Sequence, residues 1–203
     1  TCTAGAYCPA GASTPLWCPA GTHSSATGQA SADTCAPCPV GHACAPKSTE
    51  PTPCAPGAYA PHELTSQCEP CPAGTFQEGS TATACVACRA GYVCARGSAS
   101  PVPCQEGSFS NATNLTSAGE CTPAEAGTYA TTASTEPEPC AAGTFAPVSG
   151  LGRCAKCSAG TYQSEEGQTA CADCRTGHYC PTVPVPPRPS HARAARTATA
   201  PAS

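Results

Sequence analysis

Bulky apolar side chains are scattered along this chain, in runs no longer than two residues, Leu16-Trp17 and Tyr92-Val93. Every Tyr and Phe follows a glycine by one or two residues, as in Gly57-Ala58-Tyr59, Gly74-Thr75-Phe76, Gly107-Ser108-Phe109, Gly143-Thr144-Phe145 and Gly160-Thr161-Tyr162. Small and polar residues fill the intervals. Apolar positions do not recur at the helical period of 3.6, and no apolar stretch approaches the roughly 20 residues of a membrane span. With 24 Pro and 19 Gly as punctuation, the pattern predicts short β-hairpins between turns and no helices. Each repeated glycine supplies a positive φ that opens a hairpin. The following aromatic is expected to cover a neighbouring disulfide, giving each module a core of one ring and two or three sulfurs. A ligand-binding aromatic ladder is the alternative use of the same rings. Trp17 falls outside the pattern, as a cap of the first module or a contact site.

The cysteines carry a second periodicity. Cys35, Cys38, Cys44 and Cys54 recur 50 residues later as Cys85, Cys88, Cys94 and Cys104. A shift of 86 maps Cys54, Cys68, Cys71, Cys85, Cys88 and Cys94 onto Cys140, Cys154, Cys157, Cys171, Cys174 and Cys180. Such self-similarity marks an array of small units. The fold class it predicts is small disulfide-rich repeats, mostly irregular with short β-hairpins, stacked as an elongated rod with roughly additive stability.

Composition removes the competing fold classes. The bulky side chains number four Leu, seven Val, three Phe and one Trp, with no Ile or Met. They cannot offset a conformational entropy of roughly 1–2 kcal/mol per residue, so a single large core is excluded. Twenty Cys in 203 residues substitute covalent links for the core and place the chain in an oxidising compartment. No stretch resembles a signal-peptide core, and a chain beginning at Thr1 without Met reads as a mature form or a fragment. All 13 acidic residues precede position 181, while Arg188, Arg193 and Arg196 lie beyond it. An acidic body with a basic tail does not suit a nucleic-acid binder, which concentrates cations on its folded surface.

The gaps between cysteines suggest how they pair. One loop is Cys-x-x-Gly-x-x-Cys, at Cys2 to Cys8, Cys38 to Cys44, Cys88 to Cys94 and Cys174 to Cys180. A longer one joins Cys54 to Cys68, Cys71 to Cys85, Cys140 to Cys154 and Cys157 to Cys171, with longer variants at Cys18 to Cys35 and Cys104 to Cys121. Near residue 121 the pattern degenerates. Ala124 stands where the complete repeat has Cys71, and nothing before Cys140 matches Cys85, Cys88 or Cys94. Cys104 and Cys121 are then left to pair with each other, and parsimony extends nearest-neighbour pairing to all ten bonds. An interlaced scheme, such as 71–88 with 85–94, stays open if residues once preceded Thr1.

The segments CEPCPAGTFQEGSTATACVACRAGYVC (68–94) and CAKCSAGTYQSEEGQTACADCRTGHYC (154–180) closely resemble the ephrin-receptor-like cysteine-rich repeat. Cysteine, glycine and aromatic positions carry the resemblance together, and it covers nearly all of 1–180, with a degenerate module around 121–140. It implies an extracellular disulfide-bonded fold similar to modules of tumour-necrosis-factor and growth-factor receptors. It implies little about activity, because receptors, adhesion proteins and large protist and algal surface proteins all use the module.

Other chemistries fit less well. Five C-x-x-C pairs at 35/38, 68/71, 85/88, 154/157 and 171/174 invite a zinc reading, yet leave Cys44, Cys94 and Cys180 unexplained. A thioredoxin-like role needs a C-x-x-C opening a helix in a βαβ context. His23, His42, His62 and His178 are scattered, and Glu165-Glu166 reads as a solvated turn. No nucleophile, base and orienting group can be nominated, so no enzyme activity, cofactor or metal is expected. Asn111 and Asn114 are the only asparagines, and both open N-glycosylation sequons, Asn111-Ala112-Thr113 and Asn114-Leu115-Thr116. Residues 181–203 form a Pro/Ala-rich basic tail or linker, extended in its first half. The leading expectation is a non-enzymatic, glycosylated rod of a cell-surface coat, fibre or appendage. Its partners are other extracellular proteins or itself, without nucleic acid or a membrane span of its own. A ligand-binding receptor ectodomain is the alternative, and a cytosolic zinc protein the third class.

Overall fold

The computed structural model describes residues 2–180. The predicted tail at 181–203 lies outside them. Few residues take regular structure: ten antiparallel hairpins of two-residue strands, from Ala6–Tyr7 with Leu16–Trp17 to Thr161–Tyr162 with Ala172–Asp173. Among the described residues there are also two single-turn helices, Ala32–Thr34 and Ala118–Glu120, and two isolated parallel bridges between neighbouring coils, Phe76 with Ser98 and Val93 with Leu115.

The hairpins define a unit smaller than either cysteine period. Eleven glycines with positive φ, at 5, 21, 41, 57, 74, 91, 107, 127, 143, 160 and 177, recur every 16 to 20 residues. Each is the third residue of a tight turn closed by an N–H···O=C bond, such as Thr75 to Pro72 at 3.1 Å. Glycine suits that place because an L side chain there meets its own carbonyl. Where the next residue is Thr or Ser, its hydroxyl donates to the same carbonyl, as Thr75 does to Pro72. The two residues after the glycine then pair with the dipeptide that precedes the next unit, Phe76 opposite Val86 and Tyr59 opposite Glu69. That dipeptide often ends in proline, as at Pro37, Pro53, Pro70, Pro103, Pro123 and Pro139, which tolerates a strand position without an N–H to offer.

We call each unit a coil and number the coils 1 to 11 from Cys2, Cys18, Cys38, Cys54, Cys71, Cys88, Cys104, Ala124, Cys140, Cys157 and Cys174, each three residues before its glycine. Successive coils stack through one repeated set of backbone hydrogen bonds. Between coils 5 and 6, Gly74 donates to Cys94 O at 2.8 Å and Gln77 to Ser98 O at 3.1 Å. Cys88 donates to Gly74 O at 2.9 Å and Gly97 to Cys71 O at 2.8 Å. The same four recur between coils 8 and 9, from Gly127, Ala130, Cys140 and Gly150. This stacking of like units on their neighbours is the architecture of a repeat protein.

Contacts reach one coil further. A Cβ on Gly74 would lie 2.6 Å from the carbonyl oxygen of Asn114 in coil 7, and one on Gly5 2.5 Å from that of Lys47 in coil 3. The residues that approach these glycines themselves have positive φ, and five are not glycine: Lys47, Leu64, Thr81, Asn114 and Ala133. Leu64 is exposed at φ 62°, a conformation that costs an L residue about 1–2 kcal/mol. Leu64→Gly is therefore expected to raise stability by roughly 0.5–1 kcal/mol after the glycine's greater unfolded entropy. Thermal unfolding of the two proteins measures it.

The core is a column of sulfur and alanine. Cys18, Cys38, Cys54, Cys71, Cys88, Cys104 and Cys140 are buried at the start of their coils, and Ala60, Ala130 and Ala146 at the third position past the glycine. Val93 and Leu115 are the only larger apolar side chains buried among the described residues. The aromatics are less buried than the cysteines. Most are half-buried, Tyr162 is 37% exposed and Tyr179 89% exposed. The ring sits two residues past the glycine except at Tyr92, which follows Gly91 directly, whereas the most buried place is the third, as at Ala60, Cys94, Ala130 and Ala146. Covalent sulfur and alanine take the most buried places.

Candidate interaction surface

Each coil except the eighth carries one disulfide within itself. Four are short, Cys2–Cys8, Cys38–Cys44, Cys88–Cys94 and Cys174–Cys180. Six close the hairpin from turn to second strand: Cys18–Cys35, Cys54–Cys68, Cys71–Cys85, Cys104–Cys121, Cys140–Cys154 and Cys157–Cys171. Cα separations are 5.7–6.0 Å throughout, within the range disulfides adopt. No cysteine is free. The two types share the place of the first sulfur and differ in that of the second, either three residues past the glycine or just before the second strand.

This register reduces the degeneracy near residue 121. A shift of 86 carries coils 1 to 6 onto coils 6 to 11, so coil 8 corresponds to coil 3 and Cys38 and Cys44 to Ala124 and Ala130. One bonded pair has been replaced by two alanines, 0% and 1% exposed, whereas alignment on Cys71 implied three further losses. The signal is in the sequence, since the shift of 86 that relates Cys54 to Cys140 also relates Cys38 to Ala124 and Cys44 to Ala130.

The surface around coil 8 differs from the rest. Between Arg96 and Arg153 the chain has five Glu and no Lys, Arg or His. An open groove of about 660 Å³ lies there, lined by Glu106, Pro147, Val148, Leu151 and Arg153. A second hollow of about 300 Å³, lined by Tyr129, Pro139 and Thr144, shares Arg153. Tyr129 donates to Glu138 across the hairpin, and that hydrogen bond, with the carboxylate's charge, holds the Tyr129 hydroxyl above its ordinary pKa. Tyr59 is raised by desolvation first and then by its cross-strand partner Glu69. On other coils exposed cations stack on rings, Lys47 over Trp17 at 4.7 Å and Arg89 over Tyr92 at 4.1 Å.

Both sequon asparagines are exposed, in the loop between Cys104 and Cys121, but their settings differ. Asn111 lies free of the stacking bonds. Asn114 takes φ 62°, and its N–H donates to Cys88 O at 2.8 Å. Its neighbour Leu115 is buried, and Thr116 donates its hydroxyl to Glu120. Those bonds, led by the Thr116 hydroxyl, hold Glu120 below the usual carboxylate range. His23, His42, His62 and His178 lie in separate coils, and among the described residues no group of three or more His, Cys, Asp or Glu is placed to hold a metal. Nor is any described helix long and apolar enough to cross a membrane.

Residues 143–183 match the family model described as tyrosine-protein kinase ephrin type A/B receptor-like. The segment runs from the glycine of coil 9 through coil 11 and holds an ephrin-receptor-like cysteine-rich repeat. No curated protein matches the chain. The matched turn, hairpin and stacking bonds recur from coil 1 onward. Together with ten disulfides, the module makes this an extracellular or surface-exposed interaction domain.

Proposed function

We propose that the protein is a non-enzymatic structural element of a cell-surface coat, fibre or appendage, a glycosylated rod that assembles with itself or with other extracellular proteins. The observation that supports this reading is the uninterrupted backbone ladder from coil 1 to coil 11. About four backbone hydrogen bonds join each coil to the next, and two join the last pair. Stiff arrays of this kind hold binding surfaces at fixed spacing. The alternative, a ligand-binding receptor ectodomain, is favoured by the groove at Glu106, Val148 and Leu151.

Sedimentation and electron microscopy of the oxidised, secreted protein over a range of concentrations separate the two. Concentration-dependent fibres are expected; a persistent monomer with a tight soluble ligand overturns the structural reading. Non-reducing peptide mapping of the same material is expected to show N-linked sugar on 104–121, carried by Asn111. Asn111→Gln should remove most of it and Asn114→Gln little, because the Asn114 sequon is occupied by the stacking bonds and by Glu120.

A further inference from the structure

The ten disulfides are local and none crosses another. A backbone cut inside a bonded loop therefore leaves the chain joined, while a cut between loops severs it. The stretches between loops are short: two residues at each C-x-x-C, nine at 9–17, 45–53 and 95–103. The exception is 122–139, eighteen residues comprising the whole of coil 8. In coils 1, 3 and 6 the outer loop hangs from a bonded turn. In coil 8 both places of that bond are alanine, so hydrogen bonds and two small side chains alone hold turn and loop.

We propose that coil 8 is a processing site, where local opening admits an extracellular endoprotease and one cut releases two disulfide-stapled halves. Only the identity of the protease depends on the extracellular reading. Proteases bind an extended strand, so a folded segment is cut at a rate set by how often it opens. A six-residue staple restricts the opened chain, and its absence raises the open population roughly 50-fold. Coil 8 offers the chemistry as well. Thr131, Thr132 and Glu136 are exposed, beside Ala133 at a positive φ. Hydrolysis adds one water across one peptide bond, leaving a carboxylate on the first half and an amine on the second. No disulfide retains the products.

The test is limited digestion of the full oxidised chain with elastase, which cuts after alanines, present in 9–17, 45–53, 95–103 and 122–139 alike. The first products, weighed without reducing agent, are expected to be two separated fragments divided within 122–139. First cuts spread equally over 9–17, 45–53 and 95–103, or confined to bonded loops, overturn the proposal. Ala124→Cys with Ala130→Cys is expected to add an eleventh disulfide, seen as a loss of two hydrogens, and to slow severing roughly 50-fold. An unchanged rate with the bond formed also overturns it. Should the bond fail to form, amide exchange in the unaltered protein decides. Gly127, Ala130 and Ala133 should exchange about 50 times faster than Gly91, Cys94 and Gly97, their counterparts in coil 6, and equal rates reject the proposal.

Discussion

Full reduction of the protein is expected to abolish its fold at room temperature. Six longer staples of about 3 kcal/mol each and four short ones of about 2 kcal/mol sum to on the order of 25 kcal/mol, an upper bound since strain and coupling are ignored. Half of that, about 12 kcal/mol, falls in the upper part of the roughly 5–15 kcal/mol by which ordinary domains are stable. Little remains to replace it, because Val93 and Leu115 are the only buried apolar side chains larger than alanine apart from cysteine among the described residues. After reduction and alkylation, the amides of Gly74, Gly91 and Gly107 should lose their protection from exchange together with the neighbouring coils. Retained protection in coils 4 to 7 would show that the backbone ladder stands without sulfur. Deleting one staple, Cys71→Ala with Cys85→Ala, should cost about 3 kcal/mol.

Gly74→Ala is expected to be among the most damaging of single substitutions. The alanine would adopt φ 86°, at about 1–2 kcal/mol. It would also set a methyl group 2.6 Å from the Asn114 carbonyl oxygen. That oxygen belongs to backbone two coils away and cannot swing aside. Relieving the overlap separates coils 5 and 7 and strains the bonds of coil 6 between them. The sum is about 3 kcal/mol, taking overpacking at 1–3 kcal/mol. Gly160→Ala is the control. Its φ is 84° but no described atom lies within 4 Å of the added carbon, so only the conformational cost of about 1–2 kcal/mol applies. Thermal unfolding of the two variants measures the difference, and equal losses would remove the close approach as its cause.

The matched repeat at 143–183 was legible because its signal is covalent and local. Cys-x-x-Gly and the following aromatic sit within seven residues, and the glycine's requirement for a positive φ is intrinsic to the backbone. The groove was not legible. Glu106, Val148, Leu151 and Arg153 are spread over 48 residues and meet only because coil 9 lies two steps above coil 7. Residues such as Leu64 and Ala133 gave no sign of positive φ either, since neither favours it. Stacking contacts impose it on them, by way of N–H bonds to Cys38 and Cys104.

By itself the sequence determined the material of this protein: disulfide-rich hairpin units, too few bulky side chains for any other core, and the turn glycines that open each unit. These follow from composition and from the local limits on φ. The tertiary structure decided the size of the unit, one coil per glycine, and the equivalence of the short and long staples. It also decided that Ala124 and Ala130, which the shift of 86 already pairs with Cys38 and Cys44, are both buried in the places of that bond. Those facts depend on which backbone groups meet across 20 to 40 residues, and that distance is set by stacking, which no local preference encodes.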